Sequence, residues 1–326
     1  MDSPRTASRR EGEFKGSIVQ GYKILKLFEL LKQFKTFHEM NILVTGSAGM
    51  IGSYVVKGLI EKGHTVIGVD RVKPKEQLDG LTPVVLDLAS KDDVNKVFDG
   101  NKIDRCIHLA ALAHTAGMKN LTWEVYYKIN VECAENVFVA CTRNNVPVLF
   151  ISTVDAIGMV KGLITPETKL NPISMYGKSK AMAEGRLRQI CKVWNIYRFS
   201  PVYTPEIKRD IEKRYYLKYP NWAYKIGQGG KFEVLNVTGA VDSMVDWVDK
   251  DVDNTIRVIK DPELLDINDL IKAEKAEGRA KHVLWFPKWM VQCGYYIIRL
   301  VFGKSNKTYL VFKALWPFRT ADSLSV

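Results

Sequence analysis

A doubly wound, mostly parallel α/β sheet with a small C-terminal lobe is the fold this sequence predicts, and three observations carry it. From residue 41 on, short apolar runs rich in β-branched residues alternate with segments whose apolar residues recur at helical spacing. The first run passes into the second segment through Thr45-Gly46-Ser47-Ala48-Gly49-Met50-Ile51-Gly52, a glycine-rich turn. The next apolar run, Thr65-Val66-Ile67-Gly68-Val69-Asp70, ends in a carboxylate. A chain of 326 residues is long enough to bury a substantial core. The division expected is an N-terminal extension over 1–39, a dinucleotide-binding domain over 40–202 and a smaller substrate-binding region over 203–326.

Residues 1–16 are polar and arginine-containing and read as unstructured. Ile24, Leu27, Phe28, Leu31 and Phe34 then mark one face of a helix, with Lys23, Lys26, Lys32 and Lys35 interspersed. Such a helix suits an anionic membrane surface or a partner protein, and the competing reading is an extension without function ahead of Met40. Charged residues interrupt every apolar run there, which excludes an ordinary signal peptide.

Asn41 to Thr45 reads as the first strand, and Ile51 to Glu61 as the first helix. Gly46 permits the tight turn, Gly49 lets backbone approach a phosphate, and Gly52 lets helix and strand pack closely. The free N–H groups of the helix's first turn then face a pyrophosphate. Asp70 lies 18 residues after Gly52, where a carboxylate accepts hydrogen bonds from both ribose hydroxyls of NAD and repels a 2′-phosphate. NAD is therefore the expected cofactor, with Arg71 next door softening the discrimination.

Val148-Leu149-Phe150-Ile151-Ser152-Thr153 reads as a buried strand running into hydroxyl residues. Parallel sheets place ligands at the carboxyl ends of such strands, so Ser152 or Thr153 is a candidate to hydrogen-bond a substrate oxygen. Residues 176–194 read as a helix. Tyr176 and Lys180, four apart, project from one of its faces. A free tyrosine is a poor base at neutral pH, and a neighbouring ammonium is expected to lower its pKa. Toward the C-terminus, residues 283–302 are apolar, but Pro287, Lys288, Gln292 and Arg299 make them a poor membrane span. A helix of the lobe with Pro287 in its first turn is expected, in weak contact with a membrane surface.

Taken in order, the glycine triplet, Asp70, Asp87-Leu88, His108-Leu109-Ala110-Ala111, Ser152-Thr153 and Tyr176 to Lys180 resemble the extended short-chain dehydrogenase/reductases. Within these the chain is similar to the NAD-dependent epimerase/dehydratase group that acts on nucleotide-sugars. The resemblance covers roughly residues 40–290 and implies a Rossmann domain. It implies that Asp87 and Leu88 lie near adenine, that Leu109, Ala110 and Ala111 line the cofactor cleft, and that Tyr176 is the base. It also implies that Lys180 binds the nicotinamide ribose, that Thr153 falls at the family's Ser/Thr position, and that Asn130, in a helix over 122–144, supports the site. The cofactor set is thus Gly46, Ala48, Gly49, Met50, Ile51, Gly52, Asp70, Arg71, Asp87, Leu88, Leu109, Ala110, Ala111 and Lys180. The dehydratase branch follows its threonine with Asp-Glu, whereas this chain has Val154-Asp155. Ile157 stands where the family usually has tyrosine, and Thr204 where a glycine commonly follows Val-Tyr.

The five cysteines form no C-x-x-C pair and the five histidines show no metal-ligand spacing, so neither metal nor disulfide is expected, and His108 is assigned to the cleft wall. This fits a cytoplasmic protein. Net charge is +12 and uneven. Residues 1–40 carry 8 basic and 5 acidic side chains, 205–231 carry 7 and 3, and 281–326 carry 7 and 1. Positive charge outside the cofactor domain points to an anionic diphosphate substrate, and without a recognised motif it does not point to nucleic acid. The leading reading is a nucleotide-sugar epimerase working through a transient keto intermediate. Its rivals are a dehydrogenase or reductase of the same family, acting on a sugar-nucleotide, steroid-like or other small carbonyl substrate, and a non-catalytic NAD-sensing scaffold. A homodimer through helices 122–144 and 176–194 is what the resemblance implies.

Overall fold

Strands β1 (Asn41–Thr45), β2 (Thr65–Asp70), β3 (Leu81–Val85), β4 (Arg105–His108), β5 (Val148–Thr153), β6 (Trp194–Phe199) and β7 (Ile256–Ile259) form one parallel sheet, ordered β7-β6-β5-β4-β1-β2-β3. The computed structural model describes residues 39–113, 121–165, 167–204 and 209–321. The helix expected around Ile24 to Phe34 lies outside them. The strand order reverses between β1 and β4, and a crevice at such a switch point is where doubly wound sheets bind ligands.

Alternation along each strand explains the layering. Ile42 and Val44 of β1 point to one core, with Val55, Val56 and Leu59 of helix α1 (Met50–Glu61). Leu43 points to the opposite core, with Val94 and Phe98 of α2 (Lys91–Asp99), Val137 and Phe138 of α3 (Cys133–Arg143), and Leu187 of α4 (Met175–Ile190). Because both faces are covered, β5 is buried from Val148 to Ser152, which is why it reads as one apolar run.

After residue 203 the chain leaves the sheet and then returns to it. Helix α5 (Val237–Trp247) packs Met244, Val245 and Trp247 on the α1 face, and β7 pairs with β6. The lobe has its own core of Ile211, Tyr215, Ala223, Phe232 and Val234 with Ile267 and Ile271 of α6 (Ile267–Ala276). Its strand Trp222–Ile226 pairs with His282–Phe286. Helices α7 (Lys288–Phe302) and α8 (Asn306–Leu315) follow, and Tyr295, Tyr309, Phe312 and Leu315 bury between them.

Two expected helices differ in extent. The one expected over 176–194 ends at Ile190: Cys191 takes extended backbone and Trp194-Asn195-Ile196-Tyr197-Arg198-Phe199 pairs into the sheet. Aromatic and branched residues favour that pleated setting over another helical turn. The helix expected over 283–302 begins at Lys288, since His282–Phe286 is strand, and Pro287 is its N-cap instead of a first-turn residue. Over 122–144 the helix runs on through a π turn, Lys128–Glu132.

Candidate active site

Where β1 turns into α1 the backbone leaves no room for a side chain at Gly46 or Gly52. Gly46 has φ +74, and a Cβ there would sit 2.8 Å from the Ala110 nitrogen. A Cβ on Gly52 would sit 2.0 Å from the Gly46 carbonyl oxygen. The turn is held by Gly46 N–H donating to Val69 O at 2.8 Å. No side chain caps α1, and its first turn holds no acidic residue. Its first N–H groups, at Met50, Ile51 and Gly52 on the cleft wall, are thus available to an anion.

On one side of this turn lies a cavity of about 380 Å³. Asp70, Arg71, Asp87 and Leu88 line it, together with Leu109, Ala110 and Ala111. Asp70 accepts from the Ala48 N–H at 3.1 Å, which fixes its carboxylate against the loop. The cradle is thus built from the residues expected for a dinucleotide, with the acid at the end of the second strand. On the other side is a larger cavity of about 570 Å³, sharing Gly46, Gly49, Leu109 and Ala111 with the first. Ser152, Thr153, Tyr176 and Lys180 line it.

Ser174 caps α4 by accepting from Gly177 N–H at 2.9 Å. This starts the helix so that Tyr176 and Lys180 both enter the cleft. A relay holds the helix in place: Asn130, in the π turn, accepts from Leu112 N–H at 2.7 Å and donates to Ser179 Oγ at 2.8 Å, and Ser179 donates to Tyr176 O at 2.8 Å. Lys180 is 2% exposed, with its ammonium 4.1 Å from the Phe150 ring centre. Burial lowers its pKa to about 7, against the opposing charge of Glu184.

The charge balance at Tyr176 differs from the expectation. Within the protein alone its pKa is raised, first by burial, then by the Asp155 carboxylate and Tyr126. The desolvation cost of a phenolate dominates, and the neighbouring carboxylate adds to it. His108 is also corrected: it is 0% exposed, stacked on Phe150 beneath the cleft, with Nδ1 2.8 Å from Thr45 Oγ1. Burial, then Lys180, lowers its pKa to about 3, so it is neutral and does not wall the cleft.

The two candidate hydroxyls part company. Ser152 is 2% exposed and donates to Glu184 Oε1 at 2.5 Å. Thr153 is only half-buried, and its Oγ1 accepts from Asp155 N–H at 3.2 Å. Glu184 also receives Arg198 Nε at 3.1 Å and Nη2 at 2.8 Å, forming a buried ion pair beneath Lys180. This pair escaped the sequence reading, although Glu184 stands four residues after Lys180. Also unforeseen is a clamp from the C-terminal region: Tyr309 donates to Asp155 at 3.0 Å, and Lys313 bonds the same oxygen at 3.3 Å. Arg214 joins Lys313 on that wall of the larger cavity.

A sequence model of the NAD dependent epimerase/dehydratase family matches residues 42–259. UDP-glucose 4-epimerase 3 of Oryza sativa subsp. japonica is 32% identical over 166 residues, covering 46% of this chain and 44% of the relative. UDP-glucose 4-epimerase of Lactobacillus helveticus is 35% identical over 152 residues, covering 44% and 45%. The chain spans less than half the length of these two relatives. Among solved structures, UDP-glucose 4-epimerase of Thermotoga maritima with UDP-glucose has a TM-score of 0.60 at 25% identity, covering 76% of this chain and 86% of the other. UDP-glucuronic acid 4-epimerase of Bacillus cereus with NAD has a TM-score of 0.63 at 22% identity, covering 76% and 89%, which bears on the fold alone.

Proposed function

From the premise that this chain belongs to the NAD dependent epimerase/dehydratase family, we propose that it is a nucleotide-sugar epimerase working through a keto-sugar with NAD retained in its cleft. The observation that carries the reading is the junction of two cavities at Gly46 and Gly49, one ending at Asp70 and the other holding Tyr176, Lys180 and Thr153. The glycine turn and the uncapped start of α1 would hold the pyrophosphate, Asp70 the adenosine ribose, and Lys180 the nicotinamide ribose. When bound, NAD supplies a reversible hydride acceptor and the positive charge of its oxidised ring.

The protein's own groups handle the proton. Tyr176 takes it from the sugar hydroxyl as the carbonyl forms and returns it when the alcohol is restored on the other face. Thr153 positions that oxygen, since it lines the cleft and its hydroxyl proton is not given to a carboxylate, whereas the Ser152 hydroxyl is committed to Glu184. The Lys180 ammonium stabilises the phenolate that burial disfavours. Glu184 favours the ammonium form of Lys180 and in turn is held by Arg198.

The substrate class is supported by basic residues that line the same cavity as Tyr176. Arg214 and Lys313 there offer positive charge to a diphosphate, and the relatives' names support a uridine nucleotide with reaction at C4. We assign residues after 203, apart from α5 and β7, to substrate binding, and the helical stretch over 122–144 with α4 to a homodimer contact. The test is incubation with UDP-glucose, UDP-arabinose and UDP-glucuronic acid, following formation of the C4 epimer. Epimer formation by the wild type, lost in Tyr176→Phe while NAD is retained, supports the assignment, and undiminished turnover in that variant would show that Tyr176 is not the base.

A further inference from the structure

Helix α7 is apolar on both sides. Its inner side buries Tyr295 and packs Val291 against α8. Its outer side carries Trp289, Cys293, Tyr296, Ile297 and Leu300, flanked by Met290 and Val301, and at 3.6 residues per turn these seven share one arc of roughly 140°. Trp289 is 66%, Ile297 64% and Leu300 88% exposed. A contiguous patch of this kind is rare on a water-facing surface and marks contact with an apolar medium.

The charges around it say which medium. From Lys281 to Ala321 the sequence holds seven basic residues, Lys281, Lys288, Arg299, Lys304, Lys307, Lys313 and Arg319, and no acidic one. Lys288 and Arg299 in the end turns of the helix, and Lys304 and Lys307 just beyond it, are exposed. An isologous dimer built on this face would set two such basic rims against each other. An anionic bilayer neutralises them and accepts the tryptophan at the headgroup level. Spanning is excluded by geometry: 15 residues make a helix of about 22 Å, short of the roughly 30 Å hydrocarbon layer, and its inner side is already packed.

We propose that the outer face of α7 is an in-plane docking surface for an anionic lipid bilayer, so that the protein works at a membrane surface. The inference is independent of the reaction proposed above. It is tested by sedimenting the purified protein with phosphatidylcholine vesicles, with and without roughly 30 mol% phosphatidylglycerol. The wild type is expected to pellet with the phosphatidylglycerol vesicles, less with pure phosphatidylcholine, and less as salt rises. Ile297→Glu with Leu300→Glu alters only exposed side chains and should leave thermal unfolding unchanged while vesicle binding falls roughly tenfold or more. Lys304→Glu should weaken binding to phosphatidylglycerol vesicles only. Absence of wild-type binding, or equal binding by the double glutamate variant, would overturn the proposal. So would a wild-type dimer that ignores vesicles and that the same variant splits into monomers, since the face would then belong to a second copy.

Discussion

Replacing Lys180 by methionine is expected to make the fold more stable while abolishing turnover. The side chain is 2% exposed and its pKa falls from 10.5 to about 7. At about 1.4 kcal/mol per unit, burying this amine costs about 4 to 5 kcal/mol at and below pH 7. The sign follows from proton counts. Between about pH 7 and 10.5 the unfolded chain binds the lysine proton and the folded one does not, so wild-type stability rises with pH through that window. Methionine keeps the stem against Phe150 and removes the charge, while Glu184 retains Arg198 as its partner. Urea unfolding of both proteins near pH 7 should therefore favour the variant by about 2 to 5 kcal/mol. The advantage should shrink by about 1.4 kcal/mol per pH unit on going toward pH 10. A variant less stable than wild type at pH 7, or an advantage that does not change with pH, would refute the reasoning.

Glu184→Gln should cost about 3 to 5 kcal/mol in denaturant unfolding by stranding the buried Arg198, and adding Arg198→Met should recover much of it; a loss below about 1 kcal/mol would contradict the pairing. Gly52→Ala should abolish NAD binding measured by calorimetry, because its Cβ meets Gly46 O at 2.0 Å, whereas Gly185→Ala, which meets nothing within 4 Å, should bind normally. Asp155 raises the Tyr176 pKa, so Asp155→Asn should move the ascending limb of turnover against pH to lower pH; an unmoved limb would remove Asp155 from the charge balance.

Local signals made the glycine turn and the acid that ends the next strand legible. The β1 strand, its glycines, α1, β2 and Asp70 lie within 30 consecutive residues, and the turn permits few alternatives at Gly46 and Gly52. Tyr176 and Lys180 were legible for the same reason, being one helical turn apart. What escaped depends on long-range packing. Arg198 reaches Glu184 from a strand to a helix, and Tyr309 and Lys313 reach Asp155 across 154 and 158 residues. No spacing rule encodes either contact. The raised pKa of Tyr176 was misjudged because burial and the approach of Asp155 are tertiary quantities, which a lysine one helical turn away does not reveal. The end of α4 was missed because Cys191-Lys192-Val193 carries no glycine or proline to mark it.

Denaturing the freshly purified protein and identifying any nucleotide it releases by chromatography tests the central claim most directly. Near-stoichiometric NAD or NADH is the predicted result, since an epimerase regenerates its cofactor within each cycle. A protein that releases none, yet reduces or oxidises its substrate only with added cofactor, would contradict the epimerase account and assign the same Tyr176, Lys180 and Thr153 to a dehydrogenase or reductase.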